Sequence, residues 1–153
     1  MIEVTEVSIA SLRAALEAGQ TTAVELVQAY LARIDAYDAA GTPTQLNAVV
    51  VHNPDALKEA QASDERRARG ATLGPLDGIP YTAKDSYLVK GLTAASGSPA
   101  FKDLVAYRDA FTVERLRAAG AICLGKTNMP PMANGARLSK AALSSRTSRT
   151  WLI

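Results

Sequence analysis

Residues 74–135 read GPLDGIPYTAKDSYLVKGLTAASGSPAFKDLVAYRDAFTVERLRAAGAICLGKTNMPPMANG, and this stretch decides the fold. Ile79-Pro80-Tyr81-Thr82-Ala83-Lys84 alternates like a strand, with Ile79, Tyr81 and Ala83 on one face and Pro80, Thr82 and Lys84 on the other. A Gly/Ser/Ala/Thr-rich loop, Gly91 to Pro99, follows it; residues this small allow the tight turns that the rim of a site needs. Asp109 or Thr112 then opens a helix with Val113, Leu116 and Ala119 on one face, closed by Gly120. The apolar run Ala121 to Leu124 comes directly after it as a second strand. Strand, crossover, helix and strand in that order argue a βαβ unit and an α/β fold, with helices over a mixed sheet.

The residues ahead of this unit extend the same pattern. Ile9, Leu12 and Leu16 have helical spacing between Ser8 and Gly19. Thr22-x-x-Glu25 is a capping box, and Val24, Val27, Leu31 and Ile34 line one face of the helix behind it, which ends near Asp38. Leu46 to Val51 reads as a strand. Asn53 as cap, Pro54 at the first helical position and Gly70 past the end frame a charged, surface-lying helix. We therefore expect helices near 9–18, 22–37, 54–69 and 110–119, and strands near 46–51, 79–84 and 121–124.

One motif competes with this reading. Gly120-Ala121-Ile122-Cys123-Leu124-Gly125-Lys126-Thr127 satisfies the phosphate-loop pattern G-x-x-x-x-G-K-[ST] letter for letter. The mechanism needs a strand before the first glycine and a helix after the lysine, whose N–H groups face the phosphates. Here a helix precedes Gly120, a strand fills the supposed loop, and Met129-Pro130-Pro131 denies the helix that should follow. Lys126 is expected to be structural, holding the strand-to-loop turn.

Composition narrows the function classes. The chain has 153 residues, enough for one domain with a workable core, and 48% are apolar. No run of 18 apolar residues exists, and the acidic N-terminus has no signal-peptide character. Cys123, the only cysteine, lies in an apolar run and is expected to be a buried thiol, so nothing calls for an oxidising compartment and a cytoplasmic location is expected. His52 is the only histidine, which excludes a His-rich metal site and a Ser-His-Asp triad. The net charge of +2 hides a split, since residues 1–135 carry −2 and residues 136–153 carry +4 with no acid.

Lys84 is the residue most suited to chemistry. Burial destabilises an ammonium, and a lysine pinned on a strand between glycine-rich turns can then serve as a base. The plainer alternative is a solvated lysine paired with Asp77 or Asp85.

Order and spacing weigh on that choice. Gly74-Pro75-Leu76-Asp77-Gly78-Ile79-Pro80, Ala83-Lys84-Asp85, Gly91-Leu92-Thr93, Ser96-Gly97-Ser98-Pro99, Arg108-Asp109-Ala110, Leu116-Arg117-Ala118-Ala119-Gly120-Ala121 and Leu124-Gly125-Lys126-Thr127-Asn128-Met129-Pro130 follow one another over about sixty residues. In that arrangement the stretch resembles the amidase signature family, serine hydrolases that cleave carboxylic amides with a Ser–Ser–Lys triad. Ser86 stands where the family usually has asparagine, and Ala94 where a second threonine is common. The resemblance implies that Lys84 is the catalytic lysine and that Met132 and Ala133 align with a segment lining the substrate cleft. It implies no cofactor and no metal.

After Gly135 the character changes. ARLSKAALSSRTSRTWLI has no glycine and no acid, and the family's Gly/Ser-rich segment with its bridging serine, nucleophile and oxyanion-hole amides has no counterpart there. Ser144-Ser145 lack the glycine neighbours that an oxyanion hole needs, and Ser96 and Ser98 read as turn residues. Residues 1–135 are thus expected to be the N-terminal part of an amidase domain. Residues 136–153 are expected to be a divergent basic tail, irregular in structure: a frameshifted or altered end, or else an appendage for an acidic partner. Two functional classes follow: an amidase chain that is inactive alone for want of its serines, and a non-catalytic module that associates with another protein. The expected partner of the complete protein is a small-molecule amide, with no nucleic acid and no membrane. Exposed apolar sheet surface is expected to make the isolated chain self-associate.

Overall fold

The structure is a computed structural model and describes residues 3–133; the irregular tail expected at 136–153 lies outside the described residues. Its elements run α1 (Ile9–Glu17), α2 (Ala23–Tyr37), β1 (Val49–His52), α3 (Ala56–Ala68), β2 (Pro80–Lys84), α4 (Phe111–Ala118) and β3 (Ile122–Thr127), with short 3-10 turns at Pro99–Phe101 and Pro131–Ala133. The strands form one mixed sheet in the order β1-β3-β2. β2 lies parallel to β3, and β1 antiparallel to it. The expected α/β class and mixed sheet are therefore what the chain adopts.

Helix ends follow their caps. Ser8 Oγ accepts the Ser11 amide at the start of α1, and Thr22 with Glu25 completes the capping box of α2. Across the fold, the Asp64 carboxylate of α3 accepts the Ala23 and Val24 amides at 2.7 and 3.1 Å, placing a negative charge on the positive end of the α2 dipole. Asn53 is not the cap of α3, which begins after Asp55. Its side chain instead accepts the Asp55 amide and donates to the Cys123 carbonyl, tying that turn to β3. β1 starts later than the apolar pattern suggests. Gln45 and Asn47 hold positive φ, and the Asp38 carboxylate takes the Ala48 and Val49 amides, so the chain is still turning at residue 47.

Alternation along β3 divides the core. Ile122 and Leu124 pack with Leu12, Leu16, Leu26, Val27 and Ala60 of the first three helices. Cys123 packs with Ala83, Val89, Leu92 and Val113 on the other side. Thus α1–α3 cover one face, and α4 covers the other through Val113, between β2 and β3. The charged helix α3 still docks, because Ala56, Ala60 and Ser63 form a buried stripe of small residues. Ile79 does not share a face with Tyr81 and Ala83 as its spacing suggests: its amide closes a turn onto Leu76, ahead of the pleat, and its side chain joins the first cluster while theirs join the second.

The glycines and the lysine of the phosphate-loop pattern have packing reasons instead. A Cβ on Gly120 would stand 2.6 Å from Asp77 Cα, and one on Gly125 would stand 2.2 Å from the Val51 carbonyl of the neighbouring strand. Lys126 is fully buried, and no helix begins between it and Pro131. β3 runs on through Thr127, three residues past the expected end, because Gly125 and Lys126 pair with both neighbouring strands. Among the described residues, no helix is long and apolar enough to cross a membrane. The large apolar side chains left exposed include Phe101, Leu104, Val105, Tyr107 and Phe111 in the crossover and Val50 on β1.

Asp77 anchors the approach to the sheet. Its side chain is fully buried and takes bonds from Ser63 Oγ (2.6 Å), Arg66 Nη2 (2.8 Å), Arg66 Nε (3.1 Å) and the Leu73 amide (2.7 Å). Burial opposes its charge, but Arg66, Ser63 and Leu73 outweigh that and hold its pKa below the ordinary carboxylate value. A carboxylate more acidic in the folded than in the unfolded chain stabilises above the unfolded value, and loses that contribution as pH falls through the lowered one. Asp77→Asn should therefore cost about 3 kcal/mol at neutral pH by urea titration and flatten the acid limb of the stability–pH curve. Mg-ATP should leave the melting temperature unchanged, whereas a functional phosphate loop would raise it.

Candidate functional site

Lys84 closes β2 opposite Thr127 of β3, at the carboxyl ends of the parallel pair. That edge is where open α/β sheets place their ligands. The side chain is partly buried, and its Nζ donates to the Asn128 carbonyl at 3.1 Å. Neither Asp77 nor Asp85 pairs with it. Asp77 is committed to Arg66, and Asp85, one residue on in an extended chain, turns to Lys126.

Two loops meet beside Lys84. After β2 the chain leaves through Asp85, whose amide donates to the Thr127 carbonyl at 2.9 Å, and returns at Thr93–Ser98. Beyond β3 it continues through Asn128–Ala133. The Met132 amide donates to the Ser96 carbonyl at 2.9 Å, joining the two. A Cβ on Gly97 would lie 2.5 Å from the Met129 carbonyl, so only glycine permits this approach. Ser96, Met132 and Ala133 all hold positive φ, at 51°, 52° and 59°. Side chains seldom occupy that region, and such strain gathers where surrounding contacts over-determine the backbone. Met132 and Ala133 are exposed at this edge.

Beneath the loops lies a buried ion pair. Lys126 Nζ donates to the Asp85 carbonyl at 2.9 Å and the Thr93 carbonyl at 2.6 Å, and stands 3.2 Å from Asp85 Oδ1. That last contact is electrostatic only, since Oδ1 is buried with no hydrogen-bond donor. Asp85 Oδ2 accepts the Gly97 amide at 3.1 Å. Burial pushes the Lys126 pKa below the ordinary lysine value, with Asp85 acting in the opposite direction. Burial likewise raises the Cys123 thiol, in keeping with the buried thiol expected there.

Lys84 thus lies against the Asn128 carbonyl at the end of β2, and Met132 and Ala133 lie on the loop that Asn128 begins. Reading the sequence missed the roles of Asp85, Thr93 and Asn128, all of which act through backbone carbonyls that no residue type reveals, Asp85 through its carboxylate as well. A lysine continuing the apolar alternation of β3 was the available sign that Lys126 is interior. Among the described residues, no group of three or more His, Cys, Asp and Glu side chains could hold a metal ion. A cavity of about 300 Å³ lies at the other end of β2, lined by Arg13, Arg67, Gly74 and Asp77, away from Lys84.

Known proteins share this sequence and this arrangement. The family profile described as Amidase matches residues 25–150, a span that continues past Gly135. The chain is 44% identical over 129 residues to a glutamyl-tRNA(Gln) amidotransferase subunit of Methylococcus capsulatus, covering 84% of this chain and 25% of that protein. Against the corresponding subunit of Chloroflexus aurantiacus it is 41% identical over 143 residues, covering 93% and 28%. The native peptide amidase of Stenotrophomonas maltophilia superposes with a TM-score of 0.80 at 45% identity, over 85% of this chain and 26% of that one. The chain spans about a quarter of the length of these relatives. With the family matched over most of its residues and the same fold found at 45% identity, the chain belongs to the amidase family.

Proposed function

We propose that Lys84 is the base of an amide-hydrolysing site whose serines lie in the remainder of the family fold. In this reading a neutral Lys84 takes a proton from a bridging serine, which activates the nucleophilic serine. Attack on a linear carboxylic amide releases ammonia or amine, and water then frees the acid from the acyl-serine. The observation that carries the proposal is the position of Lys84: carboxyl end of β2, ammonium on the Asn128 carbonyl, beside two strained loops that meet at Ser96 and Met132. Met132 and Ala133, exposed on one of those loops, would line the cleft for a small amide substrate. The names of the relatives, a peptide amidase and an amidotransferase component, agree with chemistry at an amide C–N bond.

In this proposal residues 1–135 are the N-terminal part of an amidase domain and act only with its remainder. A triad works as a unit, and loss of its nucleophile removes most of the rate. The 153-residue chain should therefore leave a small aromatic amide at background, and Lys84→Ala should not change that; turnover abolished by the substitution would mean that Ser96 or Ser144 acts as nucleophile. The positive test is a chimera in which residues 3–133 replace the matching segment of the Stenotrophomonas maltophilia peptide amidase. It should hydrolyse peptide amides, and Lys84→Ala within it should lower kcat on the order of a millionfold, the scale of losing a triad member in a serine hydrolase. A chimera indifferent to Lys84 would defeat the assignment.

Self-association belongs to the same proposal, though the apolar surface for it lies on the crossover and not, as expected, on a sheet face, since the helices cover both. Tyr107 and Phe111 are 77% and 70% exposed, and Leu104 and Val105 are more than half exposed beside them in sequence. The isolated chain should sediment as a concentration-dependent oligomer, and Tyr107→Ser with Phe111→Ser should shift it toward monomer.

A further inference from the structure

We propose that Lys126 is a positioning residue for the Lys84 site, acting through Asp85 on the two loops that frame it. This rests on the reading of Lys84 as the base. The connection can be followed bond by bond. The Lys126 ammonium fixes the Asp85 carbonyl, the Thr93 carbonyl and, by charge, Asp85 Oδ1. Asp85 in turn holds the Ser96–Gly97 turn, by Oδ2 on the Gly97 amide and by its carbonyl on the Ser96 amide at 3.4 Å. Ser96 then receives the Met132 amide, and Gly97 abuts the Met129 carbonyl. Met129 follows Asn128, whose carbonyl takes the Lys84 ammonium. Since Lys126 itself belongs to β3, the circuit closes on the strand from which the second loop departs.

Two features argue for positioning beyond packing. A buried methionine or leucine would fill the same space without the cost of desolvating an ammonium. What the ammonium adds is direction: several acceptors drawn to one point, in a low-dielectric interior where each bond is strong. The backbone it holds is also strained, at Ser96 and Met132, and would relax without a tether. Lys84 and Lys126 pair with successive positions across β2 and β3 and so project to opposite faces, which lets the second order the loops without occupying the place of the first.

The test uses the 153-residue chain, labelled with ¹⁵N and with ¹³Cε-lysine. Wild type, Lys126→Met and Asp85→Asn are compared by amide exchange and by the Lys84 Cε resonance, the latter assigned from Lys84→Arg. In Lys126→Met the Gly97 and Met132 amides should exchange about tenfold faster or more, the scale of losing a charge-assisted bond, while Tyr30 in α2 keeps its protection. The Lys84 resonance should move as well, which a packing role alone would not cause. Asp85→Asn retains the Lys126 bonds to both carbonyls; it should free Gly97 with a smaller effect on Met132. Loop amides and a Lys84 resonance unchanged in both variants would overturn the proposal. So would uniform loss of protection throughout both chains, which would make the pair a general stabiliser. No substrate enters these readouts, so failure here is separate from failure of the Lys84 chimera.

Discussion

The carboxylate of Asp77 sets the geometry from which the rest follows. It is stripped of water, so its charge persists only because Arg66, Ser63 and the Leu73 amide replace the lost solvation. Those partners belong to α3 and to the loop after it, and the Asp77 carbonyl takes a further bond from Arg67 Nη2 at 2.7 Å. On its other side Asp77 presses against Gly120, where no Cβ fits. One residue therefore fixes where α3 ends, where β2 begins and how closely β3 starts beside it. With both starting points fixed, the parallel register is fixed, and the register delivers Lys84 to Thr127 at the far end.

Two ion pairs built on buried carboxylates thus divide the strand pair between them, Asp77 with Arg66 at the amino end and Asp85 with Lys126 at the carboxyl end. Ionic ties are weak evidence of stability, since apolar packing can do as well, but they are specific about direction. A pleated pair of strands can slip or twist while keeping its apolar contacts. A desolvated carboxylate with few acceptable donors tolerates neither. The β2–β3 ladder carries an irregularity between Tyr81 and Thr82, and it is held on either side by one of these pairs.

Much of this was legible in the residues, for reasons that differ by element. Helix ends were clear where a side chain does the capping, as at Ser8 and Thr22, because the chemistry of the cap is local. β3 was legible from its apolar run but not in its length, because what extends it to Thr127 is pairing with β1 and β2. The start of β1 was hidden by Asp38, a residue ten positions upstream that captures the Ala48 and Val49 amides. At the site, Lys84 could be singled out by the motifs around it. Its actual acceptor, a carbonyl at Asn128, could not, since a backbone group leaves no mark on sequence.

In the proposed reading the two lysines take opposite tasks. Lys126 has two carbonyl acceptors and a carboxylate around its three N–H bonds, and no solvent reaches it. Removing a proton from it would end the attraction that holds it to the Asp85 carboxylate, and no reacting group could approach to receive one. Lys84 has one acceptor among the described residues and keeps part of its surface open. It can turn toward a partner and remain anchored by the strand that carries it. Burial alone would nominate Lys126 as the perturbed, reactive group. Counting acceptors reverses that choice: in the reading proposed above, the enclosed ammonium held by two carbonyls and a carboxylate's charge serves as scaffold, and the partly exposed one is left for chemistry.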